Sequence, residues 1–228
     1  MKKRIMLLMV LTAAVLAGCS GKAGAADQTK SSAATETSAE ETKTDEGTAE
    51  GTAETKTDAG TGEAAKHHVK IQVKDYGTIS VELDPTYAPI TVENFLSLAK
   101  SGFYDGLTFH RIIDGFMIQG GDPLGTGLGG SDTTIKGEFS SNGVDNPLSH
   151  TRGAISMARS QDKNSASSQF FIVHQDSPHL DGDYAVFGYV TDGMDIVDKI
   201  CEDTKVTDSN GTVAKENQPV IESIEVVD

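Results

Sequence analysis

The sequence predicts a mainly β domain, built as a closed antiparallel sheet and preceded by a long polar segment. Short runs in which apolar and polar residues alternate recur throughout residues 67–228, whereas only two stretches show the spacing of an amphipathic helix. Many short strands with few helices favour a closed antiparallel sheet. The formal net charge of −15 argues against a nucleic-acid partner and against binding to an anionic membrane face.

The first residues of the chain are typical of a bacterial export signal. A basic stretch at residues 2–4 precedes an apolar run over residues 5–17, which is too short for a comfortable membrane span. The run ends in the letters LAGC, which resemble the lipobox of bacterial lipoproteins. We therefore expect a signal peptide over residues 1–18, lipidation of Cys19, and an extracytoplasmic location in the cell envelope with a lipid anchor. An ordinary signal peptide with a chance cysteine is the alternative.

Residues 19–66, called the tether below, are predicted to be disordered. No Val, Ile, Leu, Met, Phe or Tyr occurs from residue 20 to residue 66, so this segment cannot bury enough apolar area to offset its ordering entropy. A flexible chain of this length reaches about 35–40 Å, which would hold a folded domain clear of a lipid surface. If Cys19 is lipidated, Cys201 has no disulfide partner, and its apolar-periodic surroundings predict a small core residue.

The remaining residues, 67–228, are sufficient for one ordinary domain with a substantial core. Alternating patterns predict eight strands, and the first and last of them could pair because they lie at the two ends of the domain. The predicted strands span residues 69–73, 79–83, 107–113, 116–119, 153–158, 169–173, 185–190 and 220–227.

Two helices are predicted between these strands. Pro89 suits the first helical position, and an apolar pattern with i, i+3, i+4 and i+7 spacing follows it and ends before Gly102. A second, short helix begins after Gly193 and extends to about Cys201. The glycine-rich residues 120–130 are expected to form a loop.

The most informative motif is the run FHRIIDGFMIQGGD, which spans residues 109–122. It combines one arginine, two large apolar side chains and one amide within a few positions, a set that is better suited to a shallow pocket than to a core. Such a pocket would grip an apolar ring and a peptide carbonyl together. The run SQFFI, residues 168–172, supplies further apolar surface.

Together these motifs resemble the cyclophilin family of peptidyl-prolyl cis-trans isomerases, over almost all of residues 67–228. The resemblance implies an eight-stranded barrel capped by two helices, and an enzyme that accelerates rotation about X-Pro bonds with no cofactor and no metal. Arg111 matches the family's catalytic arginine, which stabilises the twisted amide. With the export signal, the implied clients are proline-containing unfolded or exported polypeptides. The implied substrate-binding residues are Phe116, Met117, Gln119, Ala158, Arg159, Phe171, Leu180 and Tyr184.

Three positions depart from the pattern that is common in the family. His179 stands where many members carry tryptophan, so weak cyclosporin binding is expected. Tyr184 stands where many members have histidine, and its hydroxyl can still form a hydrogen bond. Arg159 replaces a common asparagine whose substrate contact is largely through the backbone. We expect isomerase function to persist, while the specificity for the residue before proline stays open.

Alternative functions are compatible with parts of the sequence. Considered alone, Arg111 would more often be a surface ion-pair residue and its apolar neighbours would more often belong to a core, but the joint pattern favours a pocket. The same pocket could belong to a non-catalytic module or chaperone that binds proline-containing segments at the cell surface. A solute-binding lipoprotein fits the anchor but not the domain, because such proteins are usually larger and two-lobed.

Other chemistries have less support in the sequence. His174 and His179 show no nearby third ligand of the kind a zinc site needs. Ser156 and Ser168 show no histidine–acid partner, which argues against a hydrolase. The glycines of residues 120–130 lack the strand–helix context and the lysine of a nucleotide-binding loop.

Overall fold

The computed structural model describes residues 64–228. The predicted signal peptide, the lipidation site Cys19 and all but the last residues of the tether lie outside the described residues. Within residues 64–228, eight strands and two α-helices follow one another as β1 (His67–Val73), β2 (Gly77–Leu83), α1 (Pro89–Lys100), β3 (Phe109–Ile113), β4 (Met117–Gly120), β5 (Ala154–Met157), β6 (Phe170–Val173), β7 (Val186–Asp192), α2 (Met194–Asp203) and β8 (Ile221–Val226).

The strands form one antiparallel sheet in the order β3-β4-β6-β5-β7-β2-β1-β8. Each predicted strand is present, and its ends differ from the prediction by no more than two residues. The expected pairing of the two ends of the domain is confirmed, since β1 lies beside β8 with Val69 opposite Val226. The β1–β2 hairpin turns through positive φ angles at Asp75 (65°) and Gly77 (127°).

The prediction of a closed barrel was wrong, because the sheet is an open half-barrel in which no ladder joins its edge strands β3 and β8. Isolated contacts cross the gap instead: Thr108 forms a single bridge with Val220, and the Phe109 amide donates to the Pro219 carbonyl at 2.9 Å. Pro219 has no amide hydrogen to return, and a missing donor of this kind interrupts a β ladder. Alternating apolar residues indicate strands, but they do not show whether the two edge strands of the sheet pair with each other.

Helix α1 forms where the pattern predicts it. Pro89 lies in its first turn, and the predicted apolar face, which includes Phe95, is buried. The amides of Ile90 and Thr91 donate to the buried carboxylate of Glu138 at 3.0 and 2.8 Å. A carboxylate at this end satisfies amides that have no partner within the helix and complements the helix dipole. The loop that follows β4 is thereby attached to α1.

Two apolar clusters fill the domain. The larger contains residues of the sheet and of both helices, among them Phe95, which contacts the rings of Tyr104 and Phe187 at 5.1 and 5.2 Å between centroids. Cys201 belongs to this cluster, as the sequence predicts. Among residues 64–228, no helix is both long enough and apolar enough to span a bilayer. The smaller cluster forms the base of the candidate site, and its buried members are Met117, Ala154, Phe171, Val173 and Val186.

Candidate functional site

The hairpin of β3 and β4 carries the central residues of the candidate site. Arg111 lies opposite Gln119, and Ile113 lies opposite Met117, so the arginine and the amide belong to neighbouring strands. The register shifts between Phe109 and Arg111, and such a bulge turns the following side chains relative to a regular strand. The motif at residues 109–122, which is continuous in the sequence, therefore forms a hairpin that places its arginine beside its amide.

A cavity of about 160 Å³ opens beside this hairpin. It is smaller than the pockets of about 300–1,000 Å³ that hold drug-sized ligands, and its size suits one side chain or ring. The structure brings all nine predicted catalytic and substrate-binding residues together around this cavity, although their roles stay predictions. The lining residues are Arg111, Phe116, Met117, Gln119, Ala158, Arg159, Phe171, Leu180 and Tyr184.

The apolar walls of the cavity come from separate parts of the chain. Phe171 projects from β6 and meets the Tyr184 ring edge-on, at 6.0 Å between centroids. Leu180 belongs to a short 3-10 helix, Pro178–Leu180, and packs against the smaller cluster. Phe116 lies at the end of the β3–β4 turn, where its ring contacts the His179 imidazole at 5.5 Å. These walls surround an apolar volume with one polar rim.

Arg111 forms that polar rim. Its Nε donates to the Asn210 carbonyl at 2.8 Å, and its Nη1 donates to Gln119 Oε1 at 3.2 Å and approaches Met117 Sδ at 3.8 Å. None of these three partners is a carboxylate, so the positive charge is held in place without being neutralised. Partial burial lowers the pKa of the guanidinium, while Tyr184 and Asp208 oppose that shift. An arginine side chain nevertheless remains protonated in proteins.

A chain of amides extends from the arginine across the rim. Gln119 Nε2 donates to Gln169 Oε1 at 2.9 Å, and Gln169 Nε2 donates to the Gly129 carbonyl at 2.7 Å. This orientation leaves Gln119 Oε1 to accept from Arg111, and Gly129 ties the glycine-rich loop to the site. Gln169 was not among the predicted site residues, although it lies inside the motif at residues 168–172.

Arg159 and Tyr184, two of the departures from the family pattern, contact each other. The Arg159 guanidinium lies over the Tyr184 ring at 4.6 Å from its centroid and donates to the Asp183 carbonyl from Nε and Nη2 at 2.9 and 2.8 Å. A contact largely through the backbone was expected at position 159. The side chain also lines the cavity, because its stacking on the tyrosine holds it there.

The expectation that Ser156 lacks a histidine–acid partner was wrong. His150 contacts Asp181 Oδ1 through Nδ1 at 2.8 Å and Ser156 Oγ through Nε2 at 3.0 Å. Both Ser156 and His150 are buried, with 0% and 1% exposure, so no substrate can reach the hydroxyl. The imidazole instead stacks on Phe171, at 5.9 Å and 12° between planes, and supports a wall of the cavity. A hydrolase is therefore still not indicated.

The expectation that His174 and His179 lack a nearby third ligand for zinc was also wrong for His174. Its partner is not His179: Asp114 and Cys201 lie beside it, in the β3–β4 turn and in α2. Within residues 64–228, the residues that line the cavity include no histidine, cysteine, aspartate or glutamate. The sequence could not reveal this group, since its members are separated by tens of residues and belong to three different elements.

Comparisons with known proteins agree with this geometry. Residues 68–226 match the sequence profile of the family described as cyclophilin type peptidyl-prolyl cis-trans isomerase/CLD. Peptidyl-prolyl cis-trans isomerase B of Bacillus subtilis is 49% identical over 144 residues, which are 63% of this chain and 92% of that protein. A peptidyl-prolyl cis-trans isomerase of Helicobacter pylori is 49% identical over 126 residues, covering 54% of this chain and 74% of that protein.

Solved structures show the same fold. A cyclophilin type peptidyl-prolyl cis-trans isomerase of Cryptosporidium parvum superposes with a TM-score of 0.63 at 32% identity, covering 72% of this chain and 99% of that one. The same enzyme, crystallised in the presence of the dipeptide Ala-Pro, gives a TM-score of 0.62 at 34% identity, with coverage of 71% and 99%.

Proposed function

We propose, from the premise that this chain belongs to the cyclophilin-type peptidyl-prolyl cis-trans isomerase family, that it accelerates X-Pro rotation in exported proteins and that Arg111 stabilises the twisted amide. The chain is an enzyme of this class. The proposal concerns the residue that lowers the barrier, the residues that hold the substrate, and the compartment in which the enzyme acts.

Rotation about a peptide bond must break amide resonance, with a barrier of about 18–20 kcal/mol. For X-Pro bonds both isomers are populated, and exchange takes tens of seconds or longer. Twisting localises a lone pair on the prolyl nitrogen, which then accepts a hydrogen bond that the planar amide does not accept. A donor fixed near that nitrogen binds the transition state better than the ground state.

The observation that carries the proposal is the position of the Arg111 guanidinium at the rim of the apolar cavity. Two hydrogen bonds, to the Asn210 carbonyl and to Gln119, hold it before any substrate arrives. No reorganisation is then needed when the lone pair forms. A hydrogen bond from a charged donor is worth roughly 1.5–3 kcal/mol, which corresponds to about ten- to a hundred-fold in rate.

The remaining cavity residues provide the substrate-binding surface. In the proposed complex the proline ring occupies the apolar volume that Phe116, Met117, Phe171 and Leu180 enclose. Gln119 lies beside Arg111 and binds a substrate carbonyl, while the segment at Ala158 contacts the residue before proline. The Cryptosporidium parvum enzyme crystallised with Ala-Pro supports a proline-containing ligand for this fold.

The direct test compares isomerisation of an X-Pro peptide by the wild type and by Arg111→Ala, with NMR exchange spectroscopy as the assay. We expect kcat/KM to fall about ten- to a hundred-fold. Arg152→Ala is the matched control, since this arginine pairs with Asp198 outside the cavity, and it should retain wild-type activity. Equal activity of the Arg111→Ala variant and the wild type would remove the assignment of the donor. Peptide binding by the wild type without exchange would instead favour a binding module.

The proposed location rests on the sequence of residues 1–66. A lipid on Cys19 and a polar tether would place the domain outside the cytoplasm, where exported chains fold with slow prolyl steps. Labelling of the full chain with radioactive palmitate in a bacterial host tests the anchor. We expect incorporation into the wild type and none into Cys19→Ala. Wild-type chains that stay unlabelled would contradict the anchor and leave the isomerase assignment untouched.

A further inference from the structure

A cluster of three potential metal ligands lies behind the Phe116 wall of the cavity. The Asp114 carboxylate belongs to the β3–β4 turn, His174 follows β6, and Cys201 lies on α2. One ligand atom from each residue falls within 4.8 Å of the other two. Asp114 Oδ1 is 3.4 Å from His174 Nδ1. The His174 amide also donates to the Phe116 carbonyl at 2.8 Å, so the cluster adjoins the site directly.

The donor set fits a tetrahedral zinc ion, and so does the separation between its carboxylate and imidazole ligands. Zinc takes thiolate, imidazole and carboxylate ligands with bonds of about 2.0–2.3 Å, so its ligand atoms lie about 3.3–3.8 Å apart. The observed carboxylate–imidazole separation of 3.4 Å falls within that range. A hard ion such as Mg²⁺ prefers oxygen ligands only, and it would not select a thiol.

The hydrogen bonds around His174 hold the imidazole in the state that a metal requires. Its Nε2 lies 2.9 Å from Asp198 Oδ1, and Arg152 contacts the same oxygen at 2.8 Å. Its Nδ1 accepts the Gly115 amide at 2.9 Å, which requires that Nδ1 carries no proton. Nε2 is therefore the protonated nitrogen and donates to Asp198. A carboxylate behind the ligating histidine is the usual outer partner in metal sites.

An ion can reach this cluster from solvent. The Asp114 side chain is 79% exposed, the His174 side chain is 15% exposed, and Cys201 is buried in the larger apolar cluster. A metal on His174 Nδ1 would displace the Gly115 amide, which lies in an exposed turn where water can replace the lost hydrogen bond. The cluster is thus open on one side and closed by the protein on the other.

The geometry points to a zinc site formed by Asp114, His174 and Cys201, with water as the fourth ligand. Such an ion would join the β3–β4 turn to α2 behind the Phe116 wall. Burial, together with the carboxylates of Asp114 and Asp198, raises the pKa of the Cys201 thiol to about 12, so the thiol is protonated before the metal binds. Binding forms a sulfur–zinc bond and releases that proton to solvent, with no change in oxidation state.

Cobalt titration of the full chain tests the site, because Co²⁺ occupies tetrahedral zinc sites and a thiolate ligand produces a charge-transfer absorption band. We expect this band in the wild type, with saturation at one ion per chain and displacement by Zn²⁺. Cys201→Ala should lose it. A band that survives in Cys201→Ala would belong to Cys19 and would overturn the proposal, as would the absence of a band in the wild type.

Variants at exposed positions keep the test valid if Cys201→Ala does not fold. Asp114→Asn should weaken Co²⁺ binding at least about tenfold, whereas Asp132→Asn, an exposed carboxylate on another loop, should not. His67 and His68 both approach Asp228 and could hold an ion at the surface. Replacing both histidines with alanine should leave the thiolate band intact. Equal affinities of Asp114→Asn and Asp132→Asn would refute the site.

The role of Asp198 gives an independent readout. Asp198→Asn removes the charged acceptor behind His174, and we expect Zn²⁺ affinity to fall about 10- to 100-fold.

For the wild type, Zn²⁺ at a hundred times its Kd should raise Tm by about 5–10 °C, because the ion binds only the folded state. A Tm of the wild type that does not respond to Zn²⁺ or to a chelator would contradict the proposal.

Discussion

The buried contact between His150 and Ser156 predicts a specific loss of stability when the imidazole is replaced by a phenyl ring. His150→Phe keeps a flat ring that can stack on Phe171, but it removes both ring nitrogens. The Ser156 hydroxyl, which is 0% exposed, then has no partner and no access to water. Asp181 loses a ring donor as well, although its side chain is 36% exposed and can be hydrated.

The magnitude follows from this difference in exposure. An unsatisfied buried hydroxyl costs about 1–3 kcal/mol, and a hydrogen bond to a charged group that water can partly replace contributes about 1 kcal/mol. We therefore expect His150→Phe to lower the free energy of unfolding by about 2–4 kcal/mol. Ser156→Ala alone should cost about 1–3 kcal/mol, since it leaves the buried Nε2 of His150 unpaired.

The double variant decides whether the contact causes the loss. When both partners are replaced, no buried polar atom of the pair is left unsatisfied, so the combined loss should be smaller than the sum of the single losses by about 1–2 kcal/mol. Urea unfolding of all four proteins provides the four free energies, and the cycle cancels the difference in size between histidine and phenylalanine. Additivity within about 0.5 kcal/mol would refute the reasoning.

Two further predictions concern the pH response and the shape of the cavity. Burial lowers the pKa of His110, with Asp122 opposing and Arg111 reinforcing the shift, and both ring nitrogens are buried without a hydrogen-bond partner among residues 64–228. As the pH falls, the imidazole of His110 therefore binds a proton at a higher pH in the unfolded chain than in the folded chain. The contribution of the neutral, buried imidazole to the free energy of unfolding is complete above about pH 6.5 and is lost as the pH falls through the lower folded pKa. In urea unfolding between pH 8 and pH 5, His110→Met should lose less stability on acidification than the wild type, and parallel curves would contradict this. Arg159→Asn removes the guanidinium that lies over the Tyr184 ring, a contact worth about 0.5–1 kcal/mol. We expect KM for an X-Pro peptide to rise about two- to fivefold as a result. An unchanged KM would show that this stacking does not shape the cavity.

Local patterns predicted the strands well, because strand formation depends on neighbours in the sequence, whereas the cavity residues were predicted from the resemblance to the cyclophilin family. The β3–β4 hairpin follows from alternation on both sides of Gly115, and its register places Arg111 opposite Gln119. The hydrogen bonds that support the cavity wall from behind could not be predicted from local patterns. His150 contacts Asp181, which is 31 residues away, and nothing near either residue indicates that the fold brings them together.

The metal-ligand cluster and the open barrel were missed for a related reason. Asp114, His174 and Cys201 meet only because a turn, a strand end and a helix converge. The gap between β3 and β8 depends on the conformation of residues 204–219, a segment with no periodicity to interpret. Pro219 could have indicated the gap, because a proline beside a predicted strand argues against a continuous β ladder at that point.

One turn both contacts the open edge of the sheet at β3 and anchors the Arg111 guanidinium. Residues 206–213 form a turn, since Val206 bridges to Val213, and its last three residues lie along β3 in place of a strand. The Ile112 amide donates to the Gly211 carbonyl at 2.8 Å, and the Val213 amide donates to the His110 carbonyl at 3.0 Å. This turn requires glycine, because Gly211 has φ of +80° and a Cβ there would lie 2.3 Å from the Ile112 carbonyl oxygen.

Directly before Gly211, the turn presents the Asn210 carbonyl to the Arg111 guanidinium. The Asp208 carboxylate accepts the amides of Asn210 and Thr212 at 2.9 and 3.1 Å and so fixes the orientation of that carbonyl. In a continuous ladder, the carbonyls on this side of a partner strand would accept amides of β3 and would not be available to a side chain. The turn at residues 206–213 therefore supplies the Nε anchor of the proposed donor at the edge of β3 that β8 leaves uncovered.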